Sequence, residues 1–234
     1  MRITTWNIRA GGGKRTQHIA QAILDERPHV IVLTEFRPIP GRALIELLSE
    51  FAFSVFSCMP DGKHNSVCIL SKSVIELCEA VTVPKSIHRW VSAVVPAYDL
   101  TILGVHVPNQ SEAWNKREFW DCIETFAMTM VYSRCLIIGD LNTALDEDCQ
   151  GEPIREAVNL KRLLEAGWVD SWRQCNPCSN EFSWFSHRAN GFRLDHCLVS
   201  PLLGPMIGGA KLNHEVRVTG LSDHSMLTVD IDDA

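Results

Sequence analysis

Short runs rich in Val, Ile, Leu and Thr alternate along this chain with amphipathic stretches of helical period, and no linker, internal repeat or low-complexity segment interrupts the alternation. That pattern points to a layered α/β unit. Strands are predicted at 3–6, 30–34, 67–71, 100–106, 135–139, 194–199 and 226–231, and helices at 18–26, 42–49, 112–130 and 156–165. With 234 residues and 46% hydrophobic side chains the chain can bury a full core, so a single α/β domain over 1–234 is expected.

Polar residues stand where several of these strands end: Asn7 after ITTW, Glu35 after VIVLT, His106 after TILGV and Asp140 after CLIIG. Strand ends held by a rigid sheet bring side chains from distant parts of a chain into one pocket, where α/β proteins commonly place chemistry. Taken singly, each carboxylate also reads as a helix N-cap or turn residue. The segment LIIGDLNT says more than its parts. Asp140 and Asn142 are two apart, so a pleated or tightly turning backbone points them the same way, a carboxylate and an amide suited to orienting a water and binding a phosphate oxygen. In FRLDHCLVS, Asp195 lies inside a strand-like run and needs a partner. His224 in LSDHSM is the partner expected, because a carboxylate fixes an imidazole's tautomer and stabilises its protonated form.

The segments TWNIR, VIVLTEFR, NSVCILSK, GVHVPNQ, LIIGDLNT, FRLDHCLVS and GLSDHSML occur in the order seen in the endonuclease/exonuclease/phosphatase superfamily, and the resemblance spans nearly the whole chain. Its nearest motifs are those of exonuclease III and abasic-site endonucleases. The resemblance implies a two-sheet α/β sandwich with helices outside, and a magnesium- or manganese-dependent attack of water on phosphorus. It implies metal contacts from Glu35 and Asp223, and makes Asn7 a metal-proximal or phosphate-binding amide. Asp140 resembles the residue that orients or deprotonates the water, with Asn142 beside it. His224 resembles the phosphate-contacting imidazole, Asp195 its orienting carboxylate, and His106 and Asn109 a phosphate-contact segment, although a strand-end histidine and a turn asparagine remain alternatives.

Two positions depart from the family pattern. Arg9 stands where relatives carry an acidic or amide side chain, removing an oxygen from the metal's surroundings and either meeting a substrate phosphate or pointing away, and Thr34 replaces the usual Gln before Glu35. FRLDH resembles the Trp-Arg-Leu-Asp-Tyr run of abasic-site endonucleases, so Trp184, Phe192, Arg193 and Leu194 are candidates for a substrate wall, with core packing as the alternative. Lys14, Arg15, His88, Arg89, Lys116, Arg117 and Arg188 are local basic groups able to meet phosphates or simply to be solvated.

Composition limits the partners. A formal charge of −6 does not suit a broad basic surface for long duplex nucleic acid, so a DNA substrate must be reached through local contacts. No run approaches the roughly 18 apolar residues of a membrane span, and the N-terminus has no signal-like apolar region. A monomeric cytoplasmic enzyme without a membrane partner is expected. The nine cysteines lie mostly in strand- and helix-like segments, which reads as free thiols, and the lone CNPC at 175–178 reads as a loop. The activity implied is hydrolysis of a DNA phosphodiester, the alternative being a phosphatase or phosphodiesterase for a small-molecule, lipid-headgroup or oligonucleotide ester.

Overall fold

The computed structural model describes residues 1–57, 64–80 and 82–232. Among these the strands are β1 (Arg2–Asn7), β2 (Val30–Phe36), β3 (Ser54–Ser57), β4 (Ser66–Ser71), β5 (Glu76–Leu77), β6 (Trp90–Val95), β7 (Leu100–His106), β8 (Cys135–Asp140), β9 (Val169–Asp170), β10 (Trp184–Phe185), β11 (Gly191–Phe192), β12 (Asp195–Val199), β13 (Ile207–Asn213) and β14 (Met226–Ile231). The helices are α1 (Thr16–Asp25), α2 (Pro38–Ser49), α3 (Ala113–Met130), α4 (Ala157–Glu165) and the short α5 (Ser171–Cys175) and α6 (Glu215–Val218).

Two six-stranded sheets stack face to face, in the orders β13-β14-β1-β2-β4-β3 and β5-β6-β7-β8-β12-β9, and β10 and β11 form a separate hairpin. Each sheet has one parallel pair at its centre, β1 with β2 and β7 with β8, and is antiparallel elsewhere. Alternation along the strands supplies the layers. Ile3, Val30, Val32, Val67, Ile102, Leu136 and Ile138 fill the space between the sheets. The residues between them face outward, where Trp6, Ile31 and Leu33 meet α1 and α2 through Ile19, Ile23, Leu44 and Leu48. On the other side Leu103, Val105 and Ile137 meet α3 and α4 through Phe119, Trp120, Ile123 and Leu160. The sheets approach closely at Gly104, where a Cβ would stand 3.0 Å from both Val32 and Val67. This is the two-sheet sandwich flanked by helices that the resemblance implied.

Every predicted strand and helix is present, β7 and β14 with the predicted bounds and the others with shifted ends. Helix α2 starts at Pro38 rather than 42, since prolines in a first turn forgo an N–H that has no helical partner anyway. Strands β3, β6 and β13 were not predicted, nor were the two-residue strands β5, β9, β10 and β11. The first is only four residues long. In β6 Ser92 and Ala93 dilute the β-branched signal, and β13 carries Gly208 and Gly209 on a sheet edge with a register shift beside them. The described cysteines are free thiols, and no helix among the described residues is long and apolar enough to cross a membrane.

Candidate active site

Parallel strands end at the same edge of a sheet, so the two central pairs deliver four of the predicted polar residues to one end of the sandwich. Asn7 lies beside Thr34, and His106 beside Asp140, which is paired on its other side with Asp195. Asn7, His106 and Asp140 line a cleft of about 370 Å³ together with Glu35, Asn65, Arg89, Asn109, Asn142, Trp184, Leu194, Asp223 and His224.

Local backbone devices aim these side chains. The pairing of β2 with β4 slips between Leu33 and Phe36, and within that bulge Glu35 adopts φ 53°. A bulge re-aims a side chain, and this one turns Glu35 to the cleft at a conformational cost of about 1 kcal/mol. Gly139, at φ 142°, lets β8 pass β7 just before Asp140; a Cβ there would stand 2.0 Å from the Val105 carbonyl oxygen. Asn142 also has a left-handed φ of 45° and is tied down by three hydrogen bonds. Its N–H donates to Asp140 Oδ1 (2.9 Å), its Nδ2 donates to the Val107 carbonyl (2.8 Å), and its own carbonyl accepts from Lys116 Nζ (2.7 Å).

Asp140 is 1% exposed and held from both sides, since Asn7 Nδ2 donates to its Oδ2 at 3.0 Å while Asn142 holds its Oδ1. Burial raises its carboxyl above the ordinary range, against the pull of His224 and His106. His224 Nδ1 meets Asp195 Oδ2 at 2.8 Å, and its Nε2 lies 3.9 Å from Asp140 Oδ2. Burial pulls that imidazole down, but the charges of Asp195 and Asp140 and the bond to Asp195 outweigh it and push it up to about 10. His224 is therefore protonated at neutral pH. His106 is the opposite case: burial takes it down to about 4 despite Asp140 at 3.7 Å, so it is neutral.

Asp140, Asp195 and His224 are the one group among the described residues whose His, Cys, Asp or Glu atoms lie within 4.8 Å of one another, as metal ligands do. The chemistry argues against a metal there, because a protonated imidazole has no lone pair and Asp195 Oδ2 is already committed to it. The donors that fit a hard divalent cation are Glu35 and Asp223, carboxylates at the cleft that have no ion-pair partner among the described residues. Asn7 does not present an oxygen to that site. The Arg9 N–H donates to its Oδ1 (3.0 Å), which fixes the amide so that Nδ2 faces Asp140 and, at 3.4 Å, Glu35.

Other predicted positions are placed differently. Arg193 is fully buried and far from a substrate role: it is ion-paired with Asp148 and Asp170 and stacked on Trp172. Arg9 is exposed and is not part of the cleft lining. Trp184 and Leu194 line the cleft, whereas Phe192 packs behind Trp184 with ring centroids 5.9 Å apart. Asn109 lines the cleft while its Oδ1 closes a turn on Ser111. Among the basic groups Arg89 reaches the cleft, bonded to Glu112, while Arg15 is spent on the carbonyls of Ile8, Arg9 and Leu221 and Lys116 is 1% exposed. Sequence reasoning did not single out Asn65, although it opens the NSVCILSK segment. Nor did it find Trp6 and Ser222, whose Nε1 and Oγ bond to the main chain of His224 and Asn7.

The sequence profile of the Endonuclease/Exonuclease/phosphatase family matches residues 4–224. The chain is 26% identical over 264 residues to exodeoxyribonuclease III of Haemophilus influenzae, covering 96% of this chain and 97% of that protein. It is 22% identical over 257 residues to DNA-(apurinic or apyrimidinic site) endonuclease of Dictyostelium discoideum, covering 99% of this chain and 71% of that one. Among solved structures it superposes with TM-score 0.85 and 23% identity on the 3' phosphatase NExo from Neisseria bound to product DNA hairpin, and with TM-score 0.85 and 18% identity on an AP endonuclease from Archaeoglobus fulgidus. All of both chains is covered in each pair.

Proposed function

The chain belongs to the endonuclease/exonuclease/phosphatase family of phosphoric ester hydrolases, and from that premise we propose that it is a magnesium- or manganese-dependent nuclease that hydrolyses DNA phosphodiester bonds at the cleft around Asp140. The observation that carries the reading is the clamp on Asp140: two N–H donors fix its oxygens, burial raises its basicity, and a protonated His224 stands 3.9 Å away. A water lying on Asp140 would lose its proton to that carboxylate as its oxygen attacks phosphorus, and the phosphorus–oxygen bond to the leaving sugar would break, the departing oxygen taking a proton from solvent. Charge growing on the phosphoryl oxygens would be met by His224, which Asp195 keeps oriented and protonated. Glu35 and Asp223 would hold the divalent cation, which would polarise the phosphoryl group. Neutral His106 and the Asn142 amide can each hydrogen-bond a phosphate oxygen, and Trp184 with Leu194 offers an apolar wall to a sugar or base.

DNA is favoured as substrate because the related proteins above are named for acting on it, and the Trp184 wall suits an unstacked nucleotide better than a compact headgroup. Three substrates test the reading: an abasic-site duplex, an undamaged duplex and a bis-aryl phosphodiester, each with and without magnesium. Magnesium-dependent nicking of the abasic duplex is expected. Cleavage of the bis-aryl diester alone would leave the hydrolytic chemistry standing and remove DNA as the substrate.

A further inference from the structure

Lys116 is a lysine almost sealed from water, at 1% exposure in the first turn of α3, and it is not part of the cleft lining. Its ammonium has three N–H donors and three acceptors are in place: the Asn142 carbonyl at 2.7 Å, Gln110 Oε1 at 3.2 Å and Glu156 Oε2 at 3.4 Å. One helical turn on, Trp120 Nε1 donates to Thr143 Oγ1 at 3.2 Å, so a single face of α3 grips consecutive residues of the segment that follows Asp140. That segment needs the grip. Asn142 sits at φ 45°, a conformation that side chains with a Cβ disfavour, and only there does its N–H reach Asp140 Oδ1 while its amide reaches Val107.

We propose that Lys116 is a positioning residue for hydrolysis: by holding the Asn142 carbonyl it fixes the left-handed turn that clamps Asp140 and presents the Asn142 amide to the cleft. The inference rests on the reading of Asp140 as the base. It assigns to α3 a part in the reaction that involves no contact with substrate. Glu156 plays a different part, neutralising the ammonium without touching the clamp; among the described residues its Oε2 has no hydrogen bond besides that ion pair.

The difference between the two partners makes the test. Lys116→Met and Glu156→Gln both break a buried ion pair and should both lower the melting temperature. Only Lys116→Met should lower kcat on the bis-aryl diester, by at least about tenfold, with KM within about twofold. Glu156→Gln should stay within about threefold of the wild type. Adding Lys116→Met to Asn142→Ala should cost little more than Asn142→Ala alone, because one acts through the other. In a crystal structure of the Lys116→Met protein, the bond from the Asn142 N–H to Asp140, 2.9 Å here, should be broken. If Lys116→Met does not fold, Lys116→Leu, which likewise offers no donor to the Asn142 carbonyl, carries the same expectations. Equal kcat losses in the Lys116 and Glu156 variants, or an intact Asn142 turn in the variant crystal, would overturn the proposal. A wild type inactive on every diester would overturn the reading of the cleft, and the variant crystal would still decide whether Lys116 sets the turn.

Discussion

Asp140 and Asp148 are both 1% exposed and flank one short segment, yet they are built into clusters of opposite character. Asp148 and Asp170 share Arg193, which stacks on Trp172; Arg173 adds a second cation to Asp148, and His196 a further contact to Asp170. Burial raises the Asp170 carboxyl, but Arg193 and His196 outweigh it and hold it far below the usual range. Asp140 instead faces Asp195 across the sheet and has two neutral N–H donors with no lysine or arginine in ion-pair contact among the described residues, and Asp195 Oδ1 has no hydrogen-bond partner. Neighbouring residues of β12 divide between the two, Asp195 bonded to His224 and His196 to Asp170. A balanced cluster locks a fold. One left short of positive charge keeps a base usable and leaves room for a cation and a phosphate.

Substitutions on the two sides should therefore fail differently. Asp140→Asn is expected to have the largest effect, cutting turnover by about 10²- to 10⁴-fold while the melting temperature moves by less than about 4 °C; a large loss of stability with proportionate activity would erase the distinction. Arg193→Met should do the reverse. It leaves Asp148 and Asp170 buried and short of a cation, at a cost of about 3–5 kcal/mol in urea unfolding, with turnover per folded molecule within about threefold of wild type. A collapse of activity at unchanged stability would return Arg193 to the site.

The pH dependence of stability separates the clusters at opposite ends of the scale. His224 is raised to about 10 from an unfolded value near 6.5, so its contribution is complete below about pH 6.5 and is lost as pH rises through 10. Asp170 is depressed, so its contribution is present above about pH 3.9 and is lost only as pH falls well below that. In metal-free buffer, wild type should lose a few kcal/mol more than His224→Gln between about pH 6.5 and 9.5; parallel curves would show that His224 is not held protonated by its neighbours. The smallest effect is expected from Glu35→Gln, which should raise the magnesium needed for half-maximal turnover by about tenfold without altering stability, and an unchanged titration would remove Glu35 as a ligand.

Much of the cleft was legible because each of Asn7, Glu35, His106 and Asp140 ends or follows a strong apolar run, and the order of the motifs supplied what spacing could not. Apart from the pairing of Asp195 with His224, interactions between residues far apart in sequence were not legible. Arg193 stands two residues before Asp195, but β12 begins only at Asp195, and Arg193 turns inward to carboxylates more distant along the chain. Lys116 reads as a surface cation until Asn142 and Glu156 are seen to enclose it. The turning of Asn7 depends on the Arg9 N–H, and the aim of Glu35 depends on a slip against β4; neither leaves a mark in residue type.

The most direct test of the account is single-turnover cleavage of an abasic-site duplex in magnesium by wild type and Asp140→Asn at equal folded concentration. The account predicts nicking by the wild type that disappears on chelation, and a rate at least about a hundredfold lower in the variant. Equal rates in the two proteins would contradict it, because the clamped carboxylate would then take no part in the reaction.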